Sequence, residues 1–141
     1  MADGNKVNLE LVKYLVSNGA HVNAKSKDDL IPLHLTTDVE IAKYLVTKGA
    51  NVNAKDKDGK TPLFFAVNNR NVEFIEFIIS KGADVNAKDK DGHTTFDCLQ
   101  IERKRYLDDK SVPFNTKAFD ALMVMCSLLI DKGAVVNPDM F

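Results

Sequence analysis

A short phrase that keeps returning constrains this chain more than any other feature. Gly19-Ala20-His21-Val22-Asn23-Ala24-Lys25, Gly49-Ala50-Asn51-Val52-Asn53-Ala54-Lys55 and Gly82-Ala83-Asp84-Val85-Asn86-Ala87-Lys88 are nearly identical, and Gly133-Ala134-Val135-Val136-Asn137 is a fourth copy. The glycines are spaced by 30, 33 and 51 residues. Self-similarity with a period of about 20 to 50 residues marks an array of small units, none of which buries its own apolar face. Such units stack in a line, and stability is close to a sum of interfaces between neighbours.

Local physics fills in each unit. Thr61 is placed to cap a first helix, with Pro62 in the first turn, where its missing N–H is harmless and its fixed φ is already helical. Asn8, Asp38 and Asn71 are expected to cap second helices, with Glu10, Glu40 and Glu73 two residues on, near the positive end of each helix dipole. Gly19, Gly49, Gly82 and Gly133 are expected to end those helices in the left-handed conformation. Along the second helices, apolar residues recur at helical spacing: Leu9, Val12, Leu15 and Val16, then Ile41, Tyr44 and Leu45, then Val72, Ile75, Phe77, Ile78 and Ile79. These stripes are expected to pack on neighbouring units.

The fullest unit reads Asp56-Lys57-Asp58-Gly59-Lys60-Thr61-Pro62-Leu63, then Phe64-Phe65-Ala66, then a second apolar stretch from Val72 to Ile79. With the Gly-Ala-x-Val-Asn-Ala phrase after it, this resembles the ankyrin-repeat family, whose period matches the 33-residue spacing. The resemblance implies an all-α fold: a solenoid of stacked antiparallel helix pairs with projecting β-turn fingers. Residues 1–141 are read as one domain, with a partial repeat 1–25, a shortened repeat 26–55, a full repeat 56–88 and an extended terminal repeat 89–141.

The departures from the pattern are as informative as the matches. The first unit has room only for a second helix, from about Val7 to Ser17, so its inner face needs cover. In the second unit Ile31 replaces threonine, giving up a cap worth ~1 kcal/mol, and Asp29 replaces glycine at the bend. His34 stays, without the threonine that usually partners it. In the fourth unit Thr94-Thr95-Phe96-Asp97 stands in for threonine, proline, leucine and histidine. Its 18 extra residues predict helices from Thr95 to about Leu107 and from Thr116 to Asp131. The last helix is apolar almost all round. Folding back of the insertion is the simpler cover for it, with self-association or a partner as the alternative.

Other signals exclude more than they suggest. A net charge of -1 gives no field to hold a polyanion, so neither nucleic acid nor an anionic membrane is expected as a partner. No apolar run reaches the roughly 18 residues of a membrane span, and Met1 to Lys6 does not read as a signal peptide. A cytoplasmic location is expected, or the host cytosol or nucleus for a secreted effector. Cys98 and Cys126 lie in apolar helical patterns and read as small buried thiols. Asp56-Lys57-Asp58-Gly59 and Asp89-Lys90-Asp91-Gly92 imitate the start of a calcium loop, but the twelfth positions are Val67 and Gln100, not glutamate. His21, His34 and His93 have no metal-ligand spacing, and Arg103-Lys104-Arg105 is offset by Glu102, Asp108 and Asp109. No catalytic residue, metal or cofactor is expected.

The resemblance also implies where a partner would bind: the finger tips and the inner face of the first helices. Position by position these are Lys27, Asp28 and Leu30, then Lys57, Asp58 and Lys60, then Asn68 and Asn69, then Lys90, Asp91 and His93. Leu30, an apolar residue beside an irregular bend, is the expected anchor. The long fourth repeat, through Tyr106, Leu107, Val112, Phe114 and the helix after it, is the alternative site. In the family, asparagine at the positions of Asn23, Asn53, Asn86 and Asn137 can be hydroxylated; the simpler role is a hydrogen bond to turn backbone. The expected function is a non-catalytic module binding another protein, with a segment of a longer array or an enzyme-blocking effector as alternatives.

Overall fold

The structure is a computed structural model that describes residues 4–111, 113 and 115–140, the side chains of 4–8 and 140 excepted. Seven α-helices and one 3-10 turn make up its regular structure, and no strand occurs among the described residues. The helices are α1 Gly4–Ser17, α2 Pro32–Leu35, α3 Val39–Thr47, α4 Pro62–Asn68, α5 Val72–Ser80, α6 Thr95–Asp108 and α7 Thr116–Asp131. The 3-10 turn is Pro138–Met140. The chain divides into two compact units, Met1–Ala83 and Asp84–Phe141.

The first unit has two layers. Short helices α2 and α4 pack on each other, longer helices α1, α3 and α5 pack in sequence, and α2–α3 and α4–α5 form the pairs. The reason is the apolar spacing: Ile41, Ala42 and Leu45 on α3, and Phe74, Ile75 and Ile78 on α5, are buried together with Leu33, Leu63 and Ala66 of the short helices. Each Leu, Ile or Phe buried in this way contributes about 1.5–3 kcal/mol. Among the expected stripe residues Tyr44, Val72, Phe77 and Ile79 are half-buried, while Phe74, outside the expected stripe, is in the core.

The caps differ from expectation in instructive ways. Asp38 accepts from the N–H groups of Glu40 and Ile41 at 2.8 and 3.5 Å, and Asn71 from that of Phe74 at 3.2 Å. Asn8 is not a cap, because α1 already begins at Gly4 and Asn8 lies within it. Thr61 does not cap α4 through its side chain: its hydroxyl is buried and has no hydrogen-bond partner. Each terminal glycine named above adopts φ near +95°, the left-handed region where a Cβ would be strained.

In the second unit α6 and α7 form an antiparallel pair. Gln100 Nε2 reaches Cys126 Sγ at 3.8 Å, and Tyr106 lies against Phe119 with ring centroids 6.2 Å apart. The unexpected Thr94-Thr95-Phe96-Asp97 turns out to be a capping box. Thr94 Oγ1 accepts from the Asp97 N–H at 3.2 Å, and Asp97 Oδ2 accepts from the Thr94 N–H at 3.1 Å. Cys126 is buried, whereas Cys98 is only half-buried. Helix α7 buries Leu122, Met125, Cys126 and Leu129, but Met123, Val124 and Ile130 are exposed. Part of α7 is therefore left uncovered among the described residues. Val112 and Phe114, part of the alternative site, lie outside the described residues.

Candidate partner-binding surface

Three fingers share one backbone design. In the first, the Ser26 N–H donates to the Leu30 carbonyl at 2.9 Å and the Asp29 N–H to the Ser26 carbonyl at 3.0 Å. The second closes by Asp56 N–H to Lys60 at 2.9 Å and Gly59 N–H to Asp56 at 3.0 Å. The third repeats this with Asp89 N–H to His93 at 2.9 Å and Gly92 N–H to Asp89 at 3.0 Å.

One side chain at the base tightens each loop. Asp56 Oδ1 accepts from the N–H groups of Asp58 and Lys60 at 2.9 and 2.8 Å, and Asp89 Oδ1 from those of Asp91 and His93 at 2.9 and 3.0 Å. Ser26 Oγ plays this part in the first finger, at 3.3 and 3.2 Å from the amides of Asp28 and Leu30. The aspartates that imitate a calcium loop thus hold their own turn. The bend residues have φ of 76° at Gly59 and 80° at Gly92, and Asp29 is held at 61° in the same place. A further bond, Lys57 N–H to the Asp28 carbonyl at 2.8 Å, ties the first two fingers together.

The expected site residues divide by position. Lys27, Asp28, Lys57, Lys90 and Asp91 are exposed on the fingers, while Asp58, Lys60 and His93 are half-buried there. Leu30 is not an apolar tip: it is half-buried at the finger base, where it closes the turn and lines a groove toward α1. Asn68 and Asn69 are exposed at the C-terminal end of α4, the end away from the finger. Seven helical residues put them roughly 10 Å from the finger end, so they are not gathered with its tip.

Two features behind the fingers were hidden from sequence reasoning. The first is a bridge between consecutive copies of the repeated phrase. Asn23 Nδ2 donates to the Gly49 carbonyl at 2.9 Å while its Oδ1 accepts from the Asn51 N–H at 2.8 Å. Asn86 makes the same pair with the Gly133 carbonyl and the Val135 N–H at 3.0 and 2.8 Å, and Asn53 donates to the Gly82 carbonyl at 2.9 Å. The asparagine serves the next repeat's backbone rather than its own turn. Asn137, the fourth copy, accepts from the Asp139 N–H at 3.0 Å.

The second concerns His34, expected to lack its usual threonine partner. Its Nδ1 accepts the Ile31 N–H at 3.0 Å, which leaves Nε2 to donate toward the carbonyls of Ala54 and Lys60 at 3.0 and 3.1 Å. Phe65 meets the ring edge-on at 5.4 Å. Both nitrogens are thus engaged by backbone, and His34 joins its repeat to the next. Among the described residues, no three His, Cys, Asp or Glu side chains gather as a metal site.

At the start of the first unit an open groove of about 590 Å³ runs between α1, α2 and α3, lined by Leu11, Leu15, Leu30, Leu35, Ile41 and Leu45 among others. No helix among the described residues is long and apolar enough to cross a membrane.

Paired helices, turn fingers and backbone bridges repeated in register define a stacked helical repeat protein. A family model described as ankyrin repeats in three copies matches residues 1–89, and the chain belongs to the ankyrin-repeat family. Ankyrin repeats are generally protein–protein interaction modules. No curated protein matches the chain.

Proposed function

We propose that this chain is a non-catalytic binding module that holds a partner protein on its finger tips. The observation that carries this reading is how the fingers are built. Their turns are closed by main chain and by Ser26, Asp56 and Asp89, and those bonds use no side-chain atom of Lys27, Asp28, Lys57 or Asp91. The tips are exposed, held in place, and free to be chosen for recognition. Fixed geometry lowers the entropy cost of docking, and mixed charge at the tips suits selection of a complementary polar surface.

The test is affinity capture with the full chain beside a Lys27→Glu/Lys57→Glu variant whose helical circular dichroism is unchanged. A partner retained by the parent should be weakened about tenfold or more by the reversed charges. Equal retention by both would defeat the finger assignment.

A second reading rests on α7, which leaves Met123, Val124 and Ile130 exposed. It is self-association through that helix. Light scattering over a wide concentration range should then show a mass that rises with concentration and returns to the monomer in a Val124→Glu/Ile130→Lys variant.

A further inference from the structure

Among the chain's asparagines only Asn18 is followed by glycine. It stands in the first repeat where the later repeats carry Lys48, Lys81 and Lys132, so the other three turns have no side-chain amide at this place. Asn18 and Gly19 lie just past the end of α1 and both are exposed, as are the three Lys-Gly pairs that correspond to them. The exposure is thus a property of this turn in every repeat. Chain neighbours apart, no described atom lies within 4 Å of where a Cβ on Gly19 would stand, so space surrounds the peptide bond between the two residues.

We propose that Asn18 is a site of spontaneous deamidation, gated by the end of α1. Glycine presents its amide nitrogen with no side chain in the way. That nitrogen gives up its proton to solvent and bonds to Asn18 Cγ, the Cγ–Nδ2 bond breaks, and Nδ2 takes a proton from water and leaves as ammonia. Water then adds to one carbonyl or the other of the cyclic imide, leaving aspartate or isoaspartate. In the closed turn both of these nitrogens are engaged. The Gly19 N–H donates to the Val16 carbonyl at 3.1 Å, and Asn18 Nδ2 donates to the Tyr14 carbonyl at 2.7 Å. Attack therefore waits for the last turn of α1 to open, and helix ends open at small cost.

The product does not rebuild the turn. A carboxylate at position 18 has no N–H for the Tyr14 carbonyl and puts negative charge at the negative end of the helix dipole. Isoaspartate routes the main chain through the former side chain, which upsets the spacing by which the Ala20 N–H reaches the Leu15 carbonyl at 3.0 Å. Conversion runs one way and leaves a permanent added charge in the first repeat. Asn23 is the internal control: alanine follows it, and both its side-chain polar atoms are bonded to the next repeat.

The test is to hold the full chain at mildly alkaline pH beside a sample in urea, and to follow the tryptic peptide Tyr14–Lys25, which contains both asparagines, by mass spectrometry with fragmentation. The small mass gain of amide replaced by carboxylate is expected at Asn18, with isoaspartate the larger product, at a rate at least about tenfold lower in the fold than in urea. Asn18→Lys, which installs the residue of the other three repeats, should abolish the gain in this segment. No gain in the folded chain once the urea sample has converted would overturn the site. So would a gain that appears first at Asn23 or persists in Asn18→Lys. Equal rates in the fold and in urea would overturn the gating.

Discussion

Thr61 and His34 are halves of one arrangement divided between adjacent repeats: one repeat has the threonine with Phe64 in the histidine position, and the other has the histidine with Ile31 in the threonine position. The outcomes differ. His34 finds main-chain partners for both ring nitrogens, while the Thr61 hydroxyl is buried and unpaired. An unpaired buried hydroxyl costs about 1–3 kcal/mol, and valine keeps the shape without it. Thr61→Val is therefore expected to stabilise the protein by about 1 kcal/mol, read as a higher urea midpoint at unchanged slope. Asp29 at φ 61° pays the left-handed penalty that glycine avoids in the other two fingers. Asp29→Gly should raise stability by about 0.5 kcal/mol, the extra freedom of glycine in the unfolded chain offsetting part of the gain. The repeated phrase made these positions legible, since it aligned Asp29 with the two glycines. The pairing of His34 was not legible, because its partners are main-chain carbonyls that carry no mark in the sequence.

At the scale of the element, caps decide where helices begin, and the fourth repeat shows how far a family pattern can drift and still work. The box of Thr94 and Asp97 keeps the threonine and puts an aspartate in the histidine position, which makes a reciprocal pair. Thr94→Ala should cost about 1 kcal/mol, measured by thermal or urea unfolding. Past the end of α6, both the Ser111 hydroxyl and its N–H donate to the Asp109 carboxylate and hold it below the ordinary value of 3.8. A carboxylate lowered in the fold adds stability above its unfolded pKa, and that contribution disappears as pH falls through the lower folded value. In Ser111→Ala the Asp109 titration should move back up toward 3.8, followed by carbon-detected NMR across acid pH. Helices α6 and α7 were readable from periodicity and punctuation almost to the residue, as were the starts of α3, α4 and α5. α1 was not, because Asn8 reads as a start signal while the helix runs on through it to Gly4.

For the whole molecule, the uneven cover of equivalent faces implies uneven local stability. Helices α3 and α5 bury their stripes, whereas α1 leaves Leu11, Tyr14 and Leu15 exposed. Amide exchange should accordingly be fastest in α1 and at least tenfold slower in α3 and α5. The asparagine bridges have a consequence at another level. What they engage in the next repeat is main chain: a glycine carbonyl and an N–H that belongs to Asn51 in one copy and to Val135 in another. A joint of this kind is indifferent to the side chain it meets, so duplication, deletion or reshuffling of a repeat in the gene leaves the coupling intact, and the array can change length without renegotiating its connections.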